Sequence, residues 1–225
     1  MKNANDVAVI IQARLGSQRC RNKMTRPFAG TTLTDISLNK IKDCKSFPRE
    51  NFYLSVWEPE LKEIGKKHEV NIFHRSEKSA KSEGTPMTEM YEWWDKLPFN
   101  YCIFINACAP FLKSETIDRF FESYCNSESD GMFGVVEKKN YFWNEKKDLL
   151  TPLTEDVMNT KTVKSTYEAA HCLYAGRLDK IGQNIWMGDF KKPGNIELYS
   201  MEEIECIDID HEWQFKMCEV LYGRF

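Results

Sequence analysis

Four cationic side chains and one glycine follow the first apolar run of the chain, and together they could bind a polyanion. The run, residues 7–11, consists of β-forming residues and is typical of a short buried strand. The loop after it carries the cations Arg14, Arg19, Arg21 and Lys23. Gly16 in the same loop would let backbone N–H groups approach phosphate oxygens closely. The loop is neither a Walker motif, which would end in GKS or GKT, nor a GxGxxG motif.

Two carboxylates near the other end of the chain have the spacing of a metal site. Asp208 and Asp210 flank Ile209, so on an extended strand both side chains would point to the same face. Hard oxygen ligands suit Mg²⁺, which binds one or two carboxylates together with phosphate oxygens and water. At the carboxyl end of a strand, the pair would meet the first loop across the ligand crevice of the sheet. The alternative interpretation is an amphipathic strand, with Ile207 and Ile209 inward and the acids toward solvent.

Strands and helices alternate along most of the chain, which is the arrangement needed to bring these segments to one edge of a sheet. Apolar, β-rich runs predict strands over 7–12, 52–57, 70–73, 101–105, 132–136, 171–175 and 205–209. Helical spacing predicts helices over 34–41, 60–68, 87–97 and 212–221, and a further helix from residue 114 onward. Alternation of this kind implies right-handed βαβ units. The predicted fold is therefore α/β, a Rossmann-like sandwich with a mostly parallel central sheet.

The composition is that of one globular domain, residues 1–225, and it argues against several classes of function. A net charge of −3 is unlike a general nucleic-acid binder, which would carry a basic stripe. No apolar stretch approaches transmembrane length, and residues 1–6 lack the apolar core of a signal peptide. The eight cysteines form no CxxC pair and are interpreted as reduced core residues. We therefore expect a cytoplasmic protein with no nucleic-acid or membrane partner.

Two segments, in this order and at this separation, resemble the sugar-acid cytidylyltransferases. The first comprises residues 12–19, 22–23 and 30–33, which resemble the opening motif of that family. The second is Ile207-Asp208-Ile209-Asp210, which resembles its metal-binding Asp-x-Asp. These enzymes make CMP-activated sialic acids, 3-deoxy-manno-octulosonate and related compounds. The resemblance implies a nucleotidyltransferase sandwich, CTP and a 2-keto-3-deoxy sugar acid as substrates, Mg²⁺ as cofactor, and a homodimer.

The resemblance also implies roles for individual residues. The nucleotide would be bound by Ala13, Arg14, Leu15, Gly16, Ser17, Asn22, Lys23 and Arg75. Arg14 and Lys23 would be the main phosphate ligands, and both would be catalytic together with Asp210. Asp208 and Asp210 would hold the metal. For the loop cations and for Arg75, the alternative is an ordinary solvated side chain.

The sugar-binding residues implied by the resemblance are Asn106 and Lys161. Asn106 begins a segment that resembles a substrate-binding turn of the family and ends in Pro110-Phe111. Cys108 stands where octulosonate enzymes have an aspartate, which favours a sialic-acid-like nonulosonate as the substrate. Lys161 could bind the substrate carboxylate. The alternatives are a strand-end turn residue for Asn106 and a solvated lysine for Lys161.

Residues 137–168 interrupt the alternation of strands and helices. This segment is polar and contains three adjacent aromatic residues, 141–143. It is interpreted either as a long surface hairpin or, by resemblance, as a dimerisation arm that also closes the sugar pocket.

The predicted reaction is the transfer of CMP from CTP to the anomeric hydroxyl of the sugar acid, with release of pyrophosphate. One alternative is a nucleotidyltransferase for another sugar, of the octulosonate or spore-coat-polysaccharide type. The other is a catalytically silent relative that binds nucleotide without turnover.

Overall fold

One seven-stranded sheet forms the centre of the molecule, with the strand order β3-β2-β1-β4-β6-β5-β7. The computed structural model describes residues 1–81, 84–151, 159–192 and 194–224. The strands are β1 (Val7–Gln12), β2 (Phe52–Val56), β3 (Asn71–His74), β4 (Tyr101–Ile105), β5 (Gly131–Lys138), β6 (Thr166–Arg177) and β7 (Ile196–Ser200). All strand pairings are parallel except the two that involve β6. The prediction of a mostly parallel α/β sheet is confirmed.

Strand β1, buried from Val7 to Ile11, lies between β2 and β4, with Val9 opposite Phe52 on one side and Ile103 on the other. Its side chains alternate between two apolar clusters, because successive residues of a strand point to opposite faces. Val7, Val9 and Ile11 belong to the larger cluster, whereas Ala8 and Ile10 belong to the smaller one. A strand covered on both faces accounts for the uninterrupted apolar run in the sequence.

Helices cover both faces of the sheet. They are α1 (Leu33–Asp43), α2 (Pro59–Lys67), α3 (Glu77–Ala80), α4 (Met87–Met90), α5 (Ser114–Asn126), α6 (Leu178–Ile181) and α7 (Glu212–Leu221). Thr32 caps α1 by accepting a hydrogen bond from the Asp35 backbone N–H at 3.0 Å. His211 precedes α7, and its backbone N–H donates to Gln214 Oε1 at 2.7 Å. No helix in the described part of the chain is long and apolar enough to cross a membrane.

Five elements differ from the sequence-based prediction. The predicted helix over 87–97 is helical only in α4, and turns follow it. Strand β7 and the short helices α3 and α6 were not predicted. The predicted strand over 205–209 is wrong: a short 3-10 helix, Glu203–Cys206, leads into an extended segment outside the sheet. That segment is held by a hydrogen bond from the Ile209 N–H to the Cys108 carbonyl oxygen at 3.0 Å, so it lies against the loop after β4.

The predicted insertion, residues 137–168, connects two antiparallel strands. Glu137 of β5 pairs with Tyr167 of β6, and Lys138 pairs with Thr166, so the segment extends from the end of a hairpin. Within it, Trp143 and Leu149 form an isolated antiparallel bridge. Part of the segment, residues 152–158, lies outside the described residues.

Candidate active site

The loop after β1 starts at the carboxyl edge of the sheet, where β2 and β4 also end. Backbone contacts fix its first residues: the Ala13 N–H donates to the Ser55 carbonyl oxygen at 3.2 Å, and the Leu15 N–H donates to Glu58 Oε1 at 2.8 Å. Further along, the buried Cys20 anchors the loop in the core. The loop is therefore held at several points while its polar side chains border a cavity.

Lys23 closes this loop and is directed toward the Asp-x-Asp segment. Its ammonium group donates a hydrogen bond to the Ile209 carbonyl oxygen and lies 3.5 Å from Asp210 Oδ1. Burial lowers the pKa of Lys23, but neighbouring groups, including the carboxylates Asp208 and Asp210, outweigh that effect and leave the pKa raised. Lys23 is thus a fixed positive charge at neutral pH.

Asp208 and Asp210 border the same cavity from the other side, with Ile209 fully buried between them. Burial raises the pKa of Asp208; Lys23 opposes this shift, and the second carboxylate, Asp210, adds to it. Asp208 Oδ1 is buried and has no hydrogen-bond partner among the described residues. Asp210 Oδ1, in contrast, forms an ion pair with the Arg19 guanidinium at a distance of 2.8 Å.

The cavity between these segments has a volume of about 470 Å³, enough for part of a nucleotide and an acceptor. It is lined by Gln12, Ala13, Arg14, Gly16, Ser17, Gln18, Arg19, Lys23, Met24, Asn106, Cys108, Asp208 and Asp210. Residues about two hundred positions apart in the sequence meet here, because the loop after β1 and the Asp-x-Asp segment flank the loop after β4. A Cβ atom added at Gly16 would meet nothing within 4 Å, so the cavity is open at that point.

A smaller cavity of about 150 Å³ adjoins the first and contains Arg75. It shares Gln12, Ala13 and Arg14 with the larger one. The Arg75 side chain is buried and donates from Nε to Ser79 Oγ at 2.9 Å. Burial, with the positive charge of Arg14 as a second cause, lowers the pKa of Arg75 to about 10. The structure therefore brings Arg75 beside Arg14 and buries it, unlike a solvated surface arginine.

Three of the predicted site residues do not line either cavity. Leu15 packs against the apolar core. Asn22 is exposed and has a φ of +52°, a left-handed conformation that glycine and asparagine adopt most readily. Lys161 is exposed in a turn, where its N–H donates to Asn159 Oδ1 at 3.0 Å.

Asn106 lines the large cavity, but both ends of its amide are used within the protein. Oδ1 accepts from the Cys108 N–H at 2.8 Å, and Nδ2 donates to the His171 carbonyl oxygen at 2.9 Å. The side chain thereby connects the end of β4 to β6 and shapes the turn that carries Cys108. A strand-end turn residue is the alternative to sugar binding that the sequence indicated for Asn106.

Three cavity residues were not predicted as site residues: Gln12, Gln18 and Met24. Gln12 and Gln18 belong to the recognised motif, and that proximity was the available signal. Arg19, one of the cations predicted to bind a polyanion, also lines the cavity, and so does Cys108. Gln12 Oε1 accepts a hydrogen bond from the buried Trp93 indole N–H at 2.9 Å, so Gln12 also supports the cavity wall. Burial raises the pKa of the Cys108 thiol to about 11, so Cys108 is a neutral wall residue.

The residues present fit a Mg²⁺ ion. The buried Asp208 oxygen without a partner is the kind of group that a cation would satisfy. The described residues contain no cluster of three or more His, Cys, Asp or Glu side chains that could hold a metal. Mg²⁺ does not need such a cage, because it commonly binds through one or two carboxylates plus substrate phosphates and water.

A cationic loop and a carboxylate pair at the carboxyl edge of a mostly parallel sheet are the parts of a nucleotidyltransferase site. Residues 8–182 match the family model described as cytidylyltransferase, and the chain belongs to this family. The resemblance described from the sequence is therefore confirmed, and the protein is a cytidylyltransferase.

Known proteins similar to this chain cover almost its whole length. A curated relative, post-translational flagellin modification protein B of Campylobacter coli, is 24% identical over 229 residues, covering 96% of this chain and 95% of that protein. A structure of CMP:2-keto-3-deoxy-manno-octonic acid synthetase complexed with CTP aligns with a TM-score of 0.70 at 11% identity, covering 97% of this chain and 98% of that one. A 4-diphosphocytidyl-2C-methyl-D-erythritol synthase from Anaerococcus prevotii aligns with a TM-score of 0.67 at 12% identity, covering 96% of each chain. At these identities, the two structures establish the fold alone.

Proposed function

We propose that this cytidylyltransferase transfers CMP from CTP to the anomeric hydroxyl of a 2-keto-3-deoxy sugar acid, with a nonulosonate favoured as the acceptor and Mg²⁺ required. One observation carries the proposal: Lys23 of the loop after β1 lies 3.5 Å from Asp210 of the Asp-x-Asp segment, across one cavity. Phosphate ligands and metal ligands are thus within reach of one triphosphate, as transfer at its α-phosphorus requires.

The similar proteins support a sugar acid as the acceptor. The Campylobacter coli relative is named for flagellin modification, and one structural neighbour is a synthetase of a CMP-activated 2-keto-3-deoxy acid. Cys108 lines the cavity, and by the family resemblance it stands where octulosonate enzymes have an aspartate. A neutral thiol there, in place of a carboxylate, favours a nonulosonate.

Each site residue has its own role in the proposed reaction. Arg14, Lys23 and the backbone N–H groups near Gly16 bind the triphosphate and orient it for in-line attack. Asp208 and Asp210 hold Mg²⁺, which supplies charge neutralisation at the phosphate oxygens when bound. The anomeric hydroxyl attacks the α-phosphorus, the bond to the bridging oxygen of the β-phosphate breaks, and pyrophosphate leaves. Asp210 positions the hydroxyl and takes its proton, directly or through a water molecule.

The testing experiment measures pyrophosphate release from each of the four NTPs with Mg²⁺, against a panel of sialic, legionaminic, pseudaminic and octulosonic acids. We expect release with CTP and with a nonulosonic acid, and none without Mg²⁺. Release with an octulosonic acid alone, or only with sugar phosphates, would overturn the acceptor assignment. Binding of CTP without release across the panel would favour a silent relative.

A further inference from the structure

Arg19 occupies the carboxylate that the proposed metal requires. Its guanidinium lies 2.8 Å from Asp210 Oδ1, the same oxygen that Lys23 approaches at 3.5 Å. One carboxylate oxygen therefore faces two cations, while Asp208 Oδ1 on the same cavity has no partner among the described residues. The two carboxylates therefore differ: one oxygen of Asp208 is unpartnered, whereas Asp210 is paired with cations.

The two cations at Asp210 differ in how firmly they are held. The Lys23 side chain is 10% exposed, and the Ile209 carbonyl oxygen fixes its ammonium group. The Arg19 side chain is 59% exposed, and Asp210 is its one ion-pair partner in the described part of the chain. An exposed ion pair on a long side chain is weak, because the charges are solvated and ordering the side chain costs entropy. Arg19 is therefore the cation that can leave.

A guanidinium and a divalent cation compete for Asp210. The guanidinium lies against a carboxylate oxygen that a metal would use, and its positive charge repels the ion. A triphosphate offers Arg19 several charged oxygens in the same cavity, in the bidentate geometry that guanidinium groups favour. Movement of Arg19 from the carboxylate to the phosphates would uncover Asp210 and reduce the repulsion at the same time, leaving Lys23 as the cation beside it.

We propose that Arg19 is a latch on the metal site: it covers Asp210 in the free protein and transfers to the triphosphate when CTP binds. This inference rests on the proposed use of CTP and Mg²⁺. The consequence is positive coupling, in which nucleotide binding opens the site for the metal and the reverse holds by thermodynamic linkage. The latch disfavours metal binding before the nucleotide is in place.

The first test measures binding of Mn²⁺ to the nucleotide-free protein by the loss of the free-ion EPR signal. In Arg19→Gln we expect Mn²⁺ to bind about two- to fivefold more tightly than in the wild type, the range that corresponds to an exposed ion pair. Arg21→Gln is the matched control. It removes the same charge from the same loop, but Arg21 is exposed and forms no ion pair in the described part of the chain. Unchanged or weaker Mn²⁺ binding in Arg19→Gln, or an equal gain in Arg21→Gln, would overturn the latch.

The second test measures CTP binding by calorimetry in the presence of EDTA. Arg19→Gln should weaken CTP binding by at least about fivefold, because a charge-assisted hydrogen bond to phosphate is lost, and Arg21→Gln should weaken it less. CTP affinity unaffected by Arg19→Gln would also overturn the proposal, since it would show that Arg19 does not bind the triphosphate. Neither measurement uses a sugar acid or turnover. If the acceptor assignment is wrong, the expected changes in Mn²⁺ and CTP binding remain the same. If Arg19 does not act as a latch, the expected release of pyrophosphate remains the same.

Discussion

Asp208 combines burial, a raised pKa and an oxygen without a hydrogen-bond partner, a combination that costs stability in the metal-free protein. Burial disfavours the charged form of this carboxylate, and Asp210 lies close enough to add repulsion. The Mg²⁺ ion proposed for this site would satisfy the charge of Asp208. Stability and activity should therefore respond in opposite directions to its neutralisation.

We expect Asp208→Asn to lower the rate of pyrophosphate release by roughly a hundredfold or more, a loss typical of removing one electrostatic contact to a transition state. The melting temperature of the metal-free variant should be no lower than that of the wild type, because the amide carries no charge to desolvate. Pyrophosphate release and differential scanning calorimetry check the two outcomes. A clear fall in melting temperature would show that Asp208 is a structural carboxylate.

Gly16 offers a second test at the scale of one residue. An added Cβ would meet no protein atom within 4 Å, and the position needs no positive φ. We therefore expect Gly16→Ala to leave the melting temperature of the free protein unchanged. Its methyl group would instead stand where phosphate oxygens approach the backbone, so CTP binding should weaken about tenfold. Calorimetric titration with CTP measures this. Full CTP affinity in the variant would exclude close approach of the phosphates at Gly16.

At the scale of the element, the loop after β1 depends on a left-handed residue at position 22. The Asn22 carbonyl oxygen accepts hydrogen bonds from the N–H groups of Thr25 and Arg26, which closes the turn before α1. We expect Asn22→Ala to destabilise the protein by about 1 kcal/mol, because a Cβ without a compensating polar group is strained at positive φ. Asn22→Gly should remain close to the wild type. Urea denaturation compares the two variants, and equal stability would mean that the turn does not need this conformation.

Helix α1 carries a lysine whose ammonium group is enclosed against the loop after β4. Lys40 Nζ donates to the Ala109 carbonyl oxygen at 2.7 Å, and burial lowers its pKa to about 7, although Glu205 and Cys172 act in the opposite direction. The unfolded chain keeps the ordinary value of 10.5, so between these pH values it binds a proton that the folded protein has lost. Stability contributed through Lys40 therefore rises as pH increases across this window, and the penalty is complete below pH 7.

We expect Lys40→Met to remove this pH dependence. The difference in free energy of unfolding between variant and wild type should favour the variant more at pH 6 than at pH 9. Urea denaturation at both pH values measures the difference, and comparison with the wild type cancels the titration of the cysteines. The same difference at both pH values, or a larger one at pH 9, would contradict the burial of the ammonium group.

The buried strands were predictable from the sequence, whereas of the two edge strands β3 was predicted and β7 was not. β1 is covered on both faces, so its apolar run identified it directly. β7 lies at the edge of the sheet, and its exposed residues dilute the apolar pattern. The 205–209 run was wrongly predicted to be a strand. Ile209 is buried against the loop that contains Cys108, and an apolar run can be buried in this way without belonging to a sheet. Spacing in the sequence located both halves of the site, but the contact between Arg19 and Asp210 depends on how the loop folds.

At the scale of the whole molecule, the hairpin between β5 and β6 exposes several large apolar side chains. They are Phe142, Trp143, Leu149, Leu150 and Tyr167. Clustered aromatic and aliphatic residues on one protruding segment suit the core of a subunit interface. An exposed tryptophan elsewhere provides the comparison, since Trp213 on α7 is 63% exposed and Trp143 is 56% exposed.

We expect the wild-type protein to be a homodimer through this hairpin, with about twice the mass of one chain in size-exclusion chromatography with light scattering. Trp143→Ser should weaken the dimer by at least about tenfold, because central aromatic residues contribute most of the binding energy of an interface. Trp213→Ser removes a tryptophan of similar exposure from α7 and should leave the dimer intact. Sedimentation velocity over a dilution series gives the dissociation constants. A monomeric wild type, or equal weakening by both substitutions, would mean that the hairpin is a surface feature and that its apolar side chains serve another contact.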